Sequence, residues 1–222
     1  MPGEEYRRRI IETSIELFNT YGCKAVTMDQ ISSTLHISKR TLYEVFTNKE
    51  ELLMECLTEV HHRIGQQKVE LFNKVNDPLL LTIYVVKTAV FHNEEYFRFL
   101  QDADRYYHQL NKTLMKTFSQ KFKGIMTTIL EEAEKAGDLR KNVNIANAVN
   151  VINMSIALWH NHNRNKDDEE QLSEVVHDSI YTYLRGLCSV KAIMRYDERE
   201  EEFKRIIETT NTKNIDKMIE AK

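Results

Sequence analysis

Val26-Thr27-Met28-Asp29-Gln30-Ile31, followed after five residues by Ile37-Ser38-Lys39-Arg40-Thr41-Leu42-Tyr43-Glu44-Val45-Phe46-Thr47-Asn48-Lys49-Glu50-Glu51, is the stretch that decides the fold. Three helix starts are written into it. Thr27 precedes Gln30 by three residues, a capping box, and Val26 and Ile31 flank it at hydrophobic-staple spacing. Ser38 repeats the device, with Ile37 and Leu42 as the staple, and Asn48 with Glu51 forms a third cap pair. The helices so marked run from Thr27 to Leu35 and from Ser38 to Phe46, with only His36 and Ile37 between them. A helix in front, Ile10 to Tyr21, has Ile10, Ser14, Leu17, Phe18 and Tyr21 at helical spacing. It is closed by Gly22, where a left-handed cap is expected. Two short helices joined by so tight a turn and braced by a third form a helix-turn-helix, whose second helix enters the DNA major groove.

Residues 10–57, about a fifth of the chain, resemble the N-terminal domain of the tetracycline-repressor (TetR) family of bacterial regulators. Val26 to Ile31 is similar to the start of that family's second helix, and Ile37 to Phe46 to its recognition helix. Thr47-Asn48-Lys49-Glu50-Glu51-Leu52-Leu53 is similar to the run into its long fourth helix. One departure stands at Arg40, where members often carry glycine or another small residue. The resemblance implies an all-α protein. An N-terminal three-helix head (residues 1–50) is joined by a long fourth helix to a ligand-binding and dimerisation bundle (51–195), with a helical extension at 196–222.

Candidate DNA contacts follow from position. Lys39, Arg40 and Thr41 lie in the first turn after the Ser38 cap, and an arginine there can bond a guanine edge through two hydrogen bonds. Tyr43, by resemblance, presents its hydroxyl to a phosphate, and its plain alternative is a packed core ring. Lys49, at the start of the fourth helix, and the Thr27 hydroxyl are expected on the DNA backbone, where contacts set register without reading sequence. Residues 1–50 carry seven basic side chains (Arg7, Arg8, Arg9, Lys24, Lys39, Arg40, Lys49) and seven acidic ones (Glu4, Glu5, Glu12, Glu16, Asp29, Glu44, Glu50). The whole chain has a formal charge of −3, so the basic footprint usual for such domains is absent and placement carries the reading. Arg7 to Arg9 are expected in a solvated tail ahead of the first helix.

The other 170-odd residues read as a helical bundle. Two prolines and six glycines in 222 residues leave little room for a turn-rich sheet protein. The most apolar run, Leu79 to Val86, is too short to span a membrane, and Glu4 to Arg9 lacks the apolar run of a signal peptide, so a cytoplasmic protein is expected. Cys23, Cys56 and Cys188 are odd in number, widely spaced and without a metal-ligand pattern, as expected of buried thiols. A redox switch through Cys23 is the sharper alternative.

Two later helices carry broad apolar faces. Ile145, Val149, Ile152 and Ile156 lie on one, and Val176, Ile180, Tyr183 and Leu187 on the other. Gly186 would permit a close approach. In the resembling family the last two core helices pair with their symmetry mates as a four-helix bundle, which makes these residues the expected homodimer interface. Aromatic and polar side chains of the middle helices form the expected pocket for a small-molecule effector: Tyr84, His92, Tyr96, Tyr106, Tyr107, Phe118, Phe122 and, later, Trp159. Plain core is the competing reading for each. His160 and His162 diverge on a helix, so no metal site with His108 is expected, nor any cofactor.

The expected function is that of a dimeric regulator, a repressor released from a palindromic operator on double-stranded DNA by an effector. The rival is a dimeric helical adaptor whose head no longer binds DNA specifically, favoured by the neutral charge of residues 1–50. No phosphate-cradling glycine loop, nucleophile motif or paired metal ligands suggest an enzyme.

Overall fold

A computed structural model describes the backbone of residues 3–88, 96–162 and 169–220. Within those spans, side chains 68, 88, 97, 156–162, 169–174 and 210–220 lie outside the description. The described residues form ten helices: α1 (Glu4–Tyr21), α2 (Met28–Thr34), α3 (Lys39–Val45), α4 (Lys49–Phe72), α5 (Pro78–Thr88), α6 (Phe97–Tyr106), α7 (His108–Lys135), α8 (Ile145–His162), α9 (Glu169–Leu187) and α10 (Val190–Glu220). They pack as two compact units, residues 1–66 with 92–118, and 67–91 with 119–222. The first unit thus takes in α6 and the start of α7 besides the expected residues 1–50.

In the first unit the three sequence-marked caps form as hydrogen bonds. Thr27 Oγ1 accepts the Gln30 amide at 3.2 Å, Ser38 Oγ the Thr41 amide at 3.0 Å, and Asn48 Oδ1 the Glu51 amide at 2.8 Å. Glu51 reaches back to the amide and hydroxyl of Thr47, at 2.7 and 2.6 Å. These bonds hold its carboxyl below the ordinary range. Each cap satisfies an amide the helix itself cannot, worth about 1 kcal/mol. The α2–α3 turn is closed by His36, at φ 55°, and by the Ile37 amide donating to Ser32 O at 3.0 Å. Ile10, Phe18, Val26, Ile31, Leu42, Phe46, Leu52, Leu53 and Leu57 are all but sealed from solvent and make one core. Full burial of a side chain this size contributes about 1.5–3 kcal/mol.

Four expectations about the first helix are corrected. α1 starts at Glu4 rather than Ile10, because Glu4 and Glu5 complement the positive end of the helix. Arg7 is therefore helical and not part of a tail: it donates to Val45 O at 3.2 Å, lies 4.3 Å from the Phe46 ring centre and pairs with Glu55. Tyr21 is exposed, and Ile15 joins the buried face instead. Gly22 does end the helix at positive φ (89°), but its ψ of 145° is extended, so the cap is not left-handed helical. Glycine alone adopts that pair of angles readily.

α6 packs on α1 within the same unit. Phe99 stacks on Phe18 at 5.6 Å, Arg98 donates to Thr20 O at 2.6 Å, the Phe99 amide donates to Asn19 Oδ1, and Asp102 accepts the Cys23 amide at 2.8 Å.

The second unit is built on α5, whose Leu79, Leu80, Leu81, Ile83, Tyr84 and Val85 are buried almost all round, as a central helix requires. Asp77 caps it through the Leu80 amide at 3.3 Å. α9 packs on α5 and α8, and α10 on α5. The C-terminal region, expected as a helical extension at 196–222, is one helix from Val190 to Glu220. Tyr196, Phe203 and Ile207 enter the core, and Tyr84 and Phe203 meet at 6.0 Å. Arg195 fixes this helix, donating both terminal nitrogens to the Asp138 carboxylate (3.0 and 2.7 Å) and Nε to Asp77 at 2.9 Å.

Candidate DNA-binding surface

The recognition helix α3 separates its roles by side. Leu42 and the adjoining Phe46 point into the core, with Ile37 and Val45 packed against it. Ser38, Lys39, Arg40, Tyr43 and Glu44 are exposed. Arg40 stands 89% open, its Nε donating to Glu44 Oε1 one turn on at 3.0 Å. Lys39 Nζ pairs with Asp29 of α2 at 2.5 Å. Both basic groups are thus held by acids in the free chain, in exposed pairs of the kind worth under about 1 kcal/mol that a phosphate or base edge can displace. Thr41 shares a hydrogen bond with the Ser38 hydroxyl at 2.7 Å, which rigidifies the first turn. The Tyr43 ring is 47% exposed and so is not the packed core ring of the plain alternative.

Lys49 opens α4 beside this face. Its Nζ lies 3.5 Å from Lys24 O and 5.8 Å from the Tyr107 ring centre, and burial lowers its ammonium below the usual lysine range. The Thr27 side chain is exposed at the start of α2. All seven sequence-chosen residues therefore belong to one packed unit, at helix N-termini or on the open side of α3. Sequence reading missed Lys24, which donates a charge from the α1–α2 turn. Its side chain carries no periodic signal, and its neighbours become apparent only when α6 is in place.

Residues 10–56 match the family profile described as bacterial regulatory proteins, tetR family. The head of this chain carries the N-terminal domain of the tetR family. It is similar to the HTH-type transcriptional regulator SrpR of Pseudomonas putida, 23% identical over 205 residues covering 82% of this chain and 87% of that one. Among solved structures, a TetR-family transcriptional regulator from Pectobacterium atrosepticum shares the fold with a TM-score of 0.67 at 15% identity, covering 83% of this chain and 95% of the other. SmeT, the repressor of the Stenotrophomonas maltophilia multidrug efflux pump SmeDEF, superposes with a TM-score of 0.63 at 15% identity, over 84% and 92% of the two chains. SmeT is also known as a triclosan complex, with a TM-score of 0.61 at 14% identity and coverage of 84% and 93%.

The expected effector residues divide between the two units. Tyr96 is buried in the first core, Phe118 stacks against His61 at 4.5 Å, and Tyr107 packs against the same core. Tyr106 is exposed beneath Lys24 and Arg105. Tyr84 and Phe122 belong to the second core. His92 and the Trp159 side chain lie outside the described residues. The described residues hold no group of three or more acids, histidines or cysteines able to bind a metal. No helix among them is long and apolar enough to cross a membrane.

The expected dimer residues are covered to different degrees by the chain itself. Val149, Ile152 and Ile180 are already sealed within the chain's own core, and Ile145, Val176, Tyr183 and Leu187 are packed against it. The Ile156 side chain is outside the described residues. Among the described residues, the large apolar side chains left open on α8 and α9 are Val151 (41% exposed), Met154 (64%) and Val175 (55%). At Val149, Ile152 and Ile180 the apolar stripe read from the sequence is the chain's own core.

Proposed function

We propose that this chain is a dimeric, sequence-specific repressor acting on DNA in the cytoplasm and released by a small-molecule effector. The observation that carries the reading is the polarity of α3: Leu42 is sealed in the core while Arg40, Lys39 and Tyr43 stand open beside the Ser38 cap. In the docking mode of helix-turn-helix proteins, Arg40 reads a base edge and Tyr43, Lys49 and Thr27 bind phosphate.

Dimerisation uses the outer faces of α8 and α9. Val151, Met154 and Val175 supply the apolar contact. Gly186, exposed and with open space where a Cβ would stand, admits a close helix. Two heads about 34–36 Å apart then meet successive major grooves of a palindrome. An effector that prefers another spacing of the heads lowers operator affinity, and DNA lowers effector affinity by the same factor. SmeT, a repressor with this fold that binds triclosan, supports an aromatic apolar effector.

Equilibrium binding to operator fragments recovered from genomic DNA tests this, with Arg40→Ala and Tyr43→Phe in parallel. Arg40→Ala should lose about 1–3 kcal/mol of discrimination at one base pair per half-site. Tyr43→Phe should weaken all sequences alike. Unchanged preference in Arg40→Ala removes it from base reading.

A further inference from the structure

Three cations and two tyrosines meet where the C-terminal end of α6 reaches the α1–α2 turn. Lys24 Nζ lies 5.2 Å from the Tyr106 ring centre and the Arg105 guanidinium 5.4 Å from the same ring. Lys49 Nζ sits 5.8 Å from the neighbouring Tyr107 ring and 3.5 Å from the carbonyl oxygen of Lys24. Lys24, Arg105 and Tyr106 are exposed. Asp102, three residues before Arg105, spends a carboxylate oxygen on the Cys23 amide at 2.8 Å. Burial raises the Tyr107 hydroxyl, and the nearby acid Glu50 adds to that rise.

A tyrosine face holds a cation without neutralising it, because the attraction is to the ring quadrupole rather than to a counter-charge. Lys24 and Arg105 therefore keep their charge for an outside anion, unlike Lys39 and Arg40, which are held by Asp29 and Glu44. The patch begins at Lys49, the residue assigned to DNA phosphate, and lies three residues before Thr27, assigned the same role.

We infer that Lys24 and Arg105, held by Tyr106, form a second phosphate-binding site that extends each head's grip along the operator backbone onto α6. The site rests on the DNA-binding reading above. Its ligand is the DNA backbone phosphate, so it adds affinity without base preference. It also makes a helix outside the helix-turn-helix part of the DNA interface, so any displacement of α6 is felt as lost phosphate contacts.

The test is the salt dependence of operator binding by the full chain, for wild type, Lys24→Gln, Arg105→Gln and Arg40→Ala. Both glutamine substitutions lie at exposed positions and spare the fold. Each should weaken operator and unrelated duplex alike. Each should flatten the slope of log affinity against log salt by about two, one contact of ~0.9 from each head. The wild-type advantage then shrinks roughly tenfold between about 50 and 200 mM salt. Slopes equal to wild type in both variants, with Arg40→Ala still altering base preference, overturn the second site and leave the reading beneath it standing. Absence of any DNA binding by wild type overturns both.

Discussion

The carboxylate of Asp102 on α6 accepts the backbone amide of Cys23 at 2.8 Å, across 79 residues of sequence. Beside it, Gly22 leaves α1 at φ 89°, and a Cβ placed there would come within 2.5 Å of the same Asp102 oxygen. Backbone angle and close approach both call for glycine. Gly22→Ala should cost about 1–3 kcal/mol for the backbone angle alone, and more for the contact. Asp102→Ala should cost about 1–3 kcal/mol by leaving a part-buried amide unpaired. Since the two share one oxygen, the double variant should cost less than the sum. Urea unfolding midpoints of the four proteins check this; strict additivity would contradict the shared contact.

All three thiols should be inert in the folded protein. Burial pushes the Cys23 thiol up to about 12 and Cys188 to about 11, and lifts Cys56 well above its ordinary value. The thiolate is the reactive form, so at neutral pH none is poised for redox chemistry. Alkylation by iodoacetamide, followed by mass spectrometry, should label them only after denaturation. Rapid native labelling of Cys23 would revive a redox role.

The Arg195 clasp ties the start of α5 and the turn after α7 to α10 through the largely buried Asp77 and the buried Asp138. Arg195→Met removes the guanidinium and leaves two carboxylates facing one another. A loss of about 2–4 kcal/mol is expected, since breaking such a pair strands the remaining charge. Thermal unfolding should show it as a lower Tm, and Arg195→Lys should restore little, because a lysine cannot meet both acids in the same planar geometry. An unchanged Tm would mean that the clasp adds little to what Phe203, Tyr196 and the Arg199–Asp77 pair already supply.

The Glu51 bonds to Thr47 give stability a defined pH dependence. Its carboxyl is depressed in the folded chain, so the folded state binds fewer protons than the unfolded one as the carboxyl titrates. The stabilisation is complete above the ordinary value of 4.5 and is lost as pH falls through the lower folded value. The gap in urea midpoint between wild type and Glu51→Ala should be constant above about pH 5.5 and narrow below about pH 4.5. A gap that widens on acidification would reverse the sign.

The outer face of α8 and α9 should govern assembly. Met154→Lys, at an exposed position, should leave the monomer folded but put a charge into each half of a two-fold interface. Light scattering should then report half the mass of wild type, with operator affinity reduced together with the dimer. A wild-type mass for Met154→Lys would place the interface elsewhere.

The head was legible in the sequence because its signals are local. Thr27, Ser38 and Asn48 each cap an amide three residues away, and all three bonds form. The docking of α6 was not, since Asp102 to Cys23 and Arg98 to Thr20 join residues almost eighty apart and leave no periodic trace. Which apolar side chains of α8 are core was hidden for a related reason: Ile152 and Met154 are both apolar, and only the fold reveals that Ile152 is buried and Met154 open. Arg7 was misjudged because a run of three arginines reads as solvated, while Phe46 and Val45 become its partners only across the folded head.

The central claim is that two heads of this chain read DNA sequence together. Selection of bound duplexes from a randomised pool at low salt, followed by sequencing, tests it most directly. The account predicts enrichment of a palindrome whose half-sites lie about one helical turn apart, with a guanine in each half-site whose enrichment disappears in Arg40→Ala. A pool that stays unenriched through successive rounds, with the protein folded, would contradict it.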